Sequence, residues 1–480
     1  MLRVLGNSKS CCAGVTRREA LIASGLGLLP GLTGGFAAES GGLPVRAKSV
    51  ICLLLFGGWS QLDTFDVKPD SPVETRGPYR PIASSIPSLP VCEHLPLMAQ
   101  RMDRVALVRS VQSDDANHNS SLILTGHHAT SGGTAVKGIN PGIPRDRPFF
   151  MSALQHFREQ REAVAASTLP NHLCVPNRLG LLEGYHRTGP YGGLLGARFD
   201  PVCTQFGKNG EFLFQANGVS SQTLNFTPAG ATLAPEITLD QLHRRENLLR
   251  QFDAQRRDLQ ASPSVAQYGV WQQRALDLMT SPEFRRALDL RSEEPALRER
   301  YGWNLFGQST LLARRLVEAG VPLVTAIWDC TKESQDIAGL SWDTHWDHFK
   351  ASEGWLLPGL DQALSSLLDD LQTRGLLDET LVVCLSEMGR TPAINGRAGR
   401  DHWVGSYCAM FAGAGIRPGT VLGRSDKIGA YVADNPVSPQ DLLATVYHLC
   451  GIDSEAQIYD HLRRPQSLYG DGRPIDGILT

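Results

Sequence analysis

The stretch "LPGLDQALSSLLDDLQTRGLLDETLVVCLSE", residues 357–387, places a helix and a strand in the order that decides the fold. Its first half carries leucines at the three- and four-residue spacing of a buried helix face. Its second half contains "LVVCL" (381–385), a short continuous apolar run typical of a strand buried on both faces of a parallel sheet. The stretch therefore predicts a helix that leads into a central strand.

Similar units recur along the chain. Apolar runs predict strands at 48–58, 105–108, 321–328 and 406–415. Helices are predicted before two of these strands, within 94–111 and 309–328, and a last helix within 438–452 with Ser438 as N-cap and Pro439 at its first position. Alternating helices and strands predict an α/β fold with a mostly parallel central sheet and helices on both faces.

The composition allows one large domain. The chain has 480 residues, of which 42% are hydrophobic and 20% charged, as in an ordinary globular protein. We predict a single α/β domain over residues 45–465, followed by a C-terminal tail at 466–480. Residues 240–300 carry Leu and Phe at helical spacing amid dense charge, which predicts an inserted helical segment.

The first 38 residues have the pattern of a targeting segment. Arg17 and Arg18 precede an apolar, glycine-rich stretch, and small residues follow at 35–38 where a signal peptidase can cut. The segment resembles a twin-arginine signal, so we expect export to the periplasm or cell surface. The apolar stretch is broken by Pro30 and is too short to span a bilayer, so no transmembrane anchor is expected in the mature chain.

The charge balance excludes some partners. The net charge is -3 and no run of Lys or Arg occurs, so neither nucleic acid nor an anionic membrane is an expected partner. An anionic small molecule would have to be held locally.

Polar residues gather just after the predicted strands, where ligands bind in open α/β sheets. Several of the 13 histidines fall there, together with carboxylates. The segments after the strands contain Asp63 and Asp66; Asp114, Asp115, His118, Asn119, Ser120, His127 and His128; Asp343, His345, Asp347 and His348; and Glu387, Arg390, Asp401 and His402. Imidazoles mixed with carboxylates predict a site for a divalent metal.

Two of these residues allow more than one interpretation. Ser120 begins a short predicted helix, so it can be a nucleophile aided by the helix N-terminus or simply the helix N-cap. Arg390 can clamp an anion in a bidentate manner or pair with Glu387.

Several motifs together resemble a known family. They are "LLFGGWSQLDTFD" (54–66), "FGQSTLLARRLVEAGVPLVT" (306–325), "WDTH" (342–345), "LVVCLSEMGRTPAINGRAGRDHW" (381–403) and "GRSDKIGAY" (423–431). Over about residues 45–460 the chain resembles the exported domain-of-unknown-function family 1501. That family is similar in fold to the superfamily of alkaline phosphatase, sulfatases and cofactor-independent phosphoglycerate mutase. The resemblance implies an alkaline-phosphatase-like fold and a metal-dependent hydrolase-like scaffold.

The resemblance also implies a site, with one or two divalent ions (Zn, Mn or Ca). The metal ligands it implies are Asp63, Asp343, His345, Glu387, Asp401 and His402. His118, Asn119 and Ser120 fall in the segment of the superfamily nucleophile, and Arg390 and His127 are expected to bind substrate. The chain departs from the superfamily at Gly57 and Gly58, where a strand-end Asp is usual, and at Met388, where a His is usual. These departures imply an altered metal, one ion rather than two, or a lost activity.

A competing motif lies at "CVPNRLGLLEG" (174–184). It matches the C-x-P-x-R pattern in which sulfatases convert the cysteine to formylglycine, although Glu183 stands where that pattern has Thr. Cys174 lies much further along the chain from Asp63 than Ser120 does, whereas a sulfatase nucleophile follows soon after the first metal-binding strand. The surrounding structure must therefore decide whether the motif has a function.

The expected function is an exported metal-dependent hydrolase of phosphate or sulfate esters. Its substrate would be a small anionic ester or a glycan-linked one, attacked by Ser120 or by a water that the metal activates. The alternative is a non-catalytic exported protein for binding or cell-surface assembly that keeps the scaffold with a degenerate metal site.

Overall fold

A computed structural model describes most of the chain after residue 42. The described residues are 43–129, 135–137, 145–161, 169–180, 185–206, 226–228, 241, 244, 281–329, 342–453, 455–460 and 462–480. They belong to one compact unit, Leu43–Thr480. The predicted targeting segment, residues 1–38, lies outside the described residues. No helix among the described residues is long and apolar enough to cross a membrane.

The centre of this unit is a nine-stranded sheet, counted over the described residues. Its strands in chain order are β1 (Ser49–Leu55), β2 (Val105–Val111), β3 (His172–Val175), β4 (Val202–Phe206), β5 (Phe226–Pro228), β6 (Leu323–Trp328), β7 (Thr380–Leu385), β8 (Tyr407–Ala412) and β9 (Thr420–Leu422). Their spatial order is β9-β2-β8-β7-β1-β6-β3-β4-β5.

Most neighbouring strands are parallel. β1 lies between β6 and β7 and is parallel to both, and β3 continues the parallel array beyond β6. β8 is antiparallel to β7 on one side and to β2 on the other. Because β8 runs backwards, it begins at the edge where β1, β6 and β7 end. Residues just before β8 therefore reach the same edge as residues just after those parallel strands.

Helices cover both faces of the sheet. They are α1 (Ser120–Thr125), α2 (Phe150–Arg161), α3 (Pro282–Leu288), α4 (Pro295–Tyr301), α5 (Leu305–Glu318), α6 (Leu357–Thr373) and α7 (Pro439–Leu449). Alternate residues of β1 belong to two separate cores: Ile51 packs with leucines of α5 and α6, whereas Cys52 packs with residues of α2 and α7. Burial on both faces explains why the central strands are continuous apolar runs.

The predicted α/β fold with a mostly parallel sheet and helices on both faces is confirmed. The last helix begins as predicted, because Ser438 accepts a hydrogen bond from the backbone N–H of Asp441 in a capping box and Pro439 is its first residue. The helix predicted before β2 is wrong in length: it covers only Pro96–Ala99, and a 3-10 turn at Met102–Arg104 leads into the strand.

Two further predicted segments lie wholly or partly within the described residues. Within the predicted C-terminal segment at 466–480, Leu468, Tyr469 and Ile478 are buried in the same hydrophobic cluster as residues of the sheet and of α7. The predicted helical segment at 240–300 is described mainly from residue 281 onward, where the structure has the helices α3 and α4. Most of the predicted insertion before residue 281 lies outside the described residues.

Candidate metal centre

Four side chains converge at the edge where the parallel strands end. One donor atom from each of His118, Asp343, His345 and His402 lies within 4.8 Å of the others, and we call these four residues the His–Asp cluster. Each of the four residues is half-buried, so the cluster is partly accessible to solvent.

Loops at the ends of several strands bring the cluster together. His118 lies between β2 and α1, and Asp343 and His345 follow β6 in the chain. His402 belongs to a two-residue strand, His402–Trp403, which pairs with Gly389–Arg390 and precedes the antiparallel strand β8. The reversed direction of β8 thus explains how a residue so late in the chain reaches the site.

The three histidines present the same ring atom to Asp343. Nε2 of His118 is 3.0 Å from Oδ2 of Asp343, and Nε2 of His345 and of His402 are 3.1 and 3.2 Å from its Oδ1. The Nε2 atoms of His345 and His402 are 2.9 Å apart. Four potential ligand atoms therefore face one small volume.

The other nitrogen of each imidazole has an acceptor outside the cluster. Nδ1 of His118 is 2.9 Å from Oε1 of Glu387, Nδ1 of His345 is 2.6 Å from Oδ1 of Asp401, and Nδ1 of His402 is 2.6 Å from the carbonyl oxygen of Ala116. Acceptors of this kind hold metal-ligating histidines in the correct tautomer and orientation. Three imidazoles and one carboxylate with such support fit a divalent ion, and Zn²⁺ commonly takes four ligands of these types.

Glu387 and Asp401, which the resemblance implied as ligands, lie outside the four converging atoms. Glu387 is only 5% exposed, and besides contacting His118 its Oε1 accepts a hydrogen bond of 2.8 Å from the backbone N–H of Gly57. Asp401 also accepts a hydrogen bond of 3.2 Å from the side chain of Asn395. Both carboxylates therefore orient an imidazole.

Arg390, expected to bind substrate, is fully buried and already bonded. Its Nη2 lies 2.6 Å from Oδ1 of Asp343, its Nε donates to the carbonyl oxygen of Gly58 at 3.0 Å, and its Nη1 donates to that of Arg400 at 3.1 Å. Arg390 thus fixes the cluster carboxylate. Gly57 has a φ of 115°, and a Cβ at this position would overlap the backbone of Asp343. Glycine at position 57 therefore allows its backbone to lie close to that of Asp343.

Asp63, implied as a ligand, lies in a separate buried ion pair. Its Oδ2 is 2.7 Å from Nε of Arg400 and 2.9 Å from Nε2 of His348, and all three side chains are at most 2% exposed. Burial raises the pKa of Asp63, but the charges of Arg400 and His348 outweigh burial and hold the pKa below its usual value. With its oxygens taken, Asp63 has a structural environment rather than that of a metal ligand.

Asn119, Ser120 and His127 also lie outside the four converging atoms. Ser120 is fully buried and its hydroxyl donates to the carbonyl oxygen of Thr188 at 2.5 Å. Asn119, not Ser120, is the N-cap of α1, where its side chain accepts from the backbone N–H of Ser121 at 3.1 Å. Burial and the charge of Arg147 lower the pKa of His127 to about 4, so this imidazole is neutral at pH 7.

The pKa values of the side chains in the His–Asp cluster are strongly shifted. Burial lowers the pKa of His118, but hydrogen bonds to Asp343 and Glu387 outweigh it and raise the pKa to about 9. The hydrogen bond to Asp343 likewise raises the pKa of His345. Burial works against ionisation of Asp343, yet hydrogen bonds from the three histidines hold its pKa far below the usual value. Asp343 therefore stays ionised, as a carboxylate that binds a metal must be.

Cys174 lies inside the sheet. It is in β3, is 1% exposed, and pairs in register with Cys203 of β4. Burial, with Cys203 beside it, holds the pKa of the Cys174 thiol well above its usual value. A thiol buried within a strand is not accessible to a substrate, so this structure gives no support for Cys174 as a nucleophile.

The resemblance places His118 in the segment of the superfamily nucleophile, whereas the structure places it among the four converging donors. The sequence does contain an indication of this role, because His118 follows the end of β2 in the same way as Asp343 and His345 follow the end of β6. Met388, which stands where a histidine is usual, is fully buried against Gly58 and contributes no donor.

A family model matches residues 47–479, which is nearly the entire described unit. The chain belongs to the DUF1501 family. The family is described as proteins of unknown function, so membership itself assigns no reaction. No curated protein matches this DUF1501 member significantly.

Three solved structures illustrate what this DUF1501 protein is similar to. A phosphonate monoester hydrolase from Silicibacter pomeroyi has a TM-score of 0.39 and 11% identity, covering 89% of this chain and 76% of the other. A protein in the alkaline phosphatase superfamily from Vibrio parahaemolyticus has a TM-score of 0.41 and 9% identity, covering 92% and 73%. A sulfatase from Pseudoalteromonas has a TM-score of 0.39 and 12% identity, covering 86% and 69%.

Proposed function

We propose that this DUF1501 protein is an exported metal-dependent hydrolase of phosphate or sulfate esters. The observation that carries the proposal is the convergence of three Nε2 atoms on Asp343, each imidazole being held from behind by an acceptor. Three imidazoles directed at one carboxylate form a donor set that is typical of a metal site and that side-chain packing alone does not require.

The residues that would hold the ion are His118, Asp343, His345 and His402. A bound divalent ion supplies a Lewis acid that polarises a phosphoryl or sulfuryl oxygen and lowers the pKa of water. Glu387 and Asp401 face Nδ1 of His118 and His345, and by accepting Nδ1–H from the neutral imidazoles they would leave each Nε2 lone pair available for the ion. Arg390 holds Asp343 in place through its 2.6 Å ion pair.

The buried state of Ser120 supports direct attack by water. Its hydroxyl is inaccessible and donates to a backbone carbonyl, so it cannot reach an ester without a rearrangement of α1. In the proposed reaction a water oxygen bonds to phosphorus or sulfur, the ester bond to the alcohol oxygen breaks, and the alcohol leaves with a proton.

The reaction is tested with protein stripped by a chelator and reloaded with Zn²⁺ or Mn²⁺. The substrates are the nitrophenyl esters of phosphate and sulfate and a bis-nitrophenyl phosphodiester. We expect nitrophenolate release by the loaded protein and none by His402→Ala. His128→Ala is the matched control, because His128 is exposed and outside the cluster. If the protein binds metal and cleaves none of these esters, the hydrolase proposal is wrong.

Export is proposed from the segment at residues 1–38 with Arg17 and Arg18. We expect the secreted protein to begin near residue 39, as determined by its intact mass, and Arg17→Lys with Arg18→Lys to remain in the cytoplasm. Secretion of the double variant at the normal level would contradict the twin-arginine route.

A further inference from the structure

We propose that a cleft beside the His–Asp cluster is a subsite for a sugar ring that carries an anionic group. The proposal rests on the proposed function and names its substrate class as an anionic glycan. The cleft is lined by His345, Trp346, Asn395, Gly396, Arg397 and Asp401. Because His345 belongs to both the cluster and the cleft, a ligand in the cleft would lie next to the proposed metal.

Trp346 offers an apolar surface in the cleft. It is 44% exposed, one of the few large hydrophobic side chains exposed among the described residues. Its ring lies nearly parallel to that of His345, with an interplanar angle of 26° and centroids 6.5 Å apart. An exposed indole can pack against the apolar C–H face of a sugar ring, and being rigid it loses little conformational entropy on binding.

Arg397 offers a cation at the same place. It is exposed and forms no ion pair with any described residue, unlike Arg390 and Arg400. A planar guanidinium binds sulfate or phosphate oxygens in a bidentate manner. An unpaired Arg397 therefore favours a ligand with an anionic group.

The turn that carries Arg397 is held in place by several hydrogen bonds. Asn395 accepts hydrogen bonds from the backbone N–H groups of Arg397 at 2.9 Å and Gly399 at 3.0 Å, and its side chain donates to the carbonyl oxygen of His345 at 2.9 Å. The carbonyl oxygen of Arg397 in turn accepts from the backbone N–H of Asp347 at 3.1 Å. The turn and the loop with Trp346 are thus locked together, so the indole and the guanidinium are presented as a pair.

The remaining polar groups favour a sugar over an aromatic ester. The carboxylate of Asp401 is 53% exposed and can accept hydrogen bonds from hydroxyl groups, which a sugar ring has and a simple aryl ring lacks. Asp401 would repel an anion placed directly on it, so the anionic group belongs on the Arg397 side. The cleft opens to the surface, which leaves room for a chain of several sugars.

Gly396 provides a way to close the cleft. A Cβ at this position would meet no atom within 4 Å, and the backbone there is not in the left-handed region. A large side chain can therefore be introduced without strain, and Gly396→Trp would fill the cleft while leaving the turn intact.

The test measures binding by calorimetry to chelator-treated protein, so that neither metal nor turnover contributes. The probes are a set of sulfated and phosphorylated disaccharides, their neutral parents, and inorganic sulfate. We expect the anionic disaccharides to bind, Trp346→Ala and Arg397→Gln each to weaken binding about tenfold or more, and Gly396→Trp to abolish it. For the neutral parent disaccharides, Trp346→Ala should weaken binding, whereas Arg397→Gln should leave the affinity unchanged.

Matched controls are Tyr459→Ala for the aromatic and Arg463→Gln for the cation. Both residues are exposed and outside the cleft, and both variants should bind as the wild type does. The proposal is overturned if no anionic disaccharide binds at millimolar concentration, if inorganic sulfate competes as well as the disaccharides do, or if the cleft variants bind normally. Failure of nitrophenyl ester hydrolysis would overturn the proposed reaction without affecting this binding result.

Discussion

Oε1 of Glu387 lies 2.9 Å from Nδ1 of His118, although 269 positions separate the two residues in the chain. The contact joins the end of β7 to the loop after β2 and makes Glu387 the support for one imidazole of the cluster. It also explains why the polar residues after β7 begin so abruptly.

We predict that Glu387→Gln weakens Zn²⁺ binding about 10- to 100-fold, because an amide is a poorer acceptor for the imidazole N–H. The affinity is measured by competition with a chromogenic chelator. Glu379→Gln is the matched control, since Glu379 is an exposed residue paired with Lys48 at the surface. Wild-type affinity in Glu387→Gln would show that His118 does not depend on this support.

Ser120→Ala tests whether Ser120 is the nucleophile. Because the hydroxyl is buried and donates to the carbonyl oxygen of Thr188, its removal should leave kcat nearly unchanged and cost about 1 kcal/mol of stability. Turnover of a nitrophenyl ester and urea unfolding measure the two effects. A fall in kcat on the order of 10³-fold or more, with metal still bound, would restore Ser120 as nucleophile.

Asp63→Asn tests the structural role of the buried ion pair. The variant leaves Arg400 buried without its carboxylate, so the free energy of unfolding should fall by about 3 to 5 kcal/mol. Asp378→Asn, at an exposed position, should change it by less than about 0.5 kcal/mol. Loss of metal from Asp63→Asn without loss of stability would instead make Asp63 a ligand.

His172 makes stability depend on pH. Burial lowers the pKa of His172 in the folded state to about 3, whereas in the unfolded chain it is about 6.5. The unfolded state therefore binds the proton more readily, and the stability fully present above pH 6.5 is lost as the pH falls towards 3. Lowering the pH from 7.5 to 5 should therefore reduce the free energy of unfolding by about 2 kcal/mol through the protonation of this one group.

Urea unfolding at these two pH values, with chelator present, measures the effect. His172→Gln should lose about 2 kcal/mol less between them than the wild type does, whereas His128→Gln, at an exposed position, should behave as the wild type. Equal pH dependence in His172→Gln and the wild type would show that His172 is not the group responsible.

Local patterns predicted the fold well because a strand buried on both faces is a short, continuous apolar run in the sequence. The run at 381–385 lies within β7, and Ser438 caps α7 as its sequence indicates. The direction of β8 could not be predicted, since a strand buried on both faces is equally apolar in either direction. That direction is what brings His402 to the site.

The location of the site was predictable, but the roles within it were not. Residues after the ends of parallel strands are expected to lie at one edge of the sheet, and Asp343, His345 and His402 do converge there. Whether a carboxylate binds an ion or orients a histidine depends on which atom faces inward, as Glu387 and Asp401 show. Asp63 lies outside the cluster because it pairs with Arg400 and His348. Both partners are distant from Asp63 in the chain, so local sequence patterns do not reveal these contacts.

The central claim is that His118, Asp343, His345 and His402 hold one divalent ion. Zn²⁺ titration by calorimetry, with chelator-stripped wild type and with Asp343→Asn, tests this most directly, because Asp343 contacts all three histidines. We predict one ion per wild-type chain and an affinity at least about 100-fold weaker in a folded Asp343→Asn variant. Absence of binding by the wild type, or equal affinity in the variant, would contradict the claim.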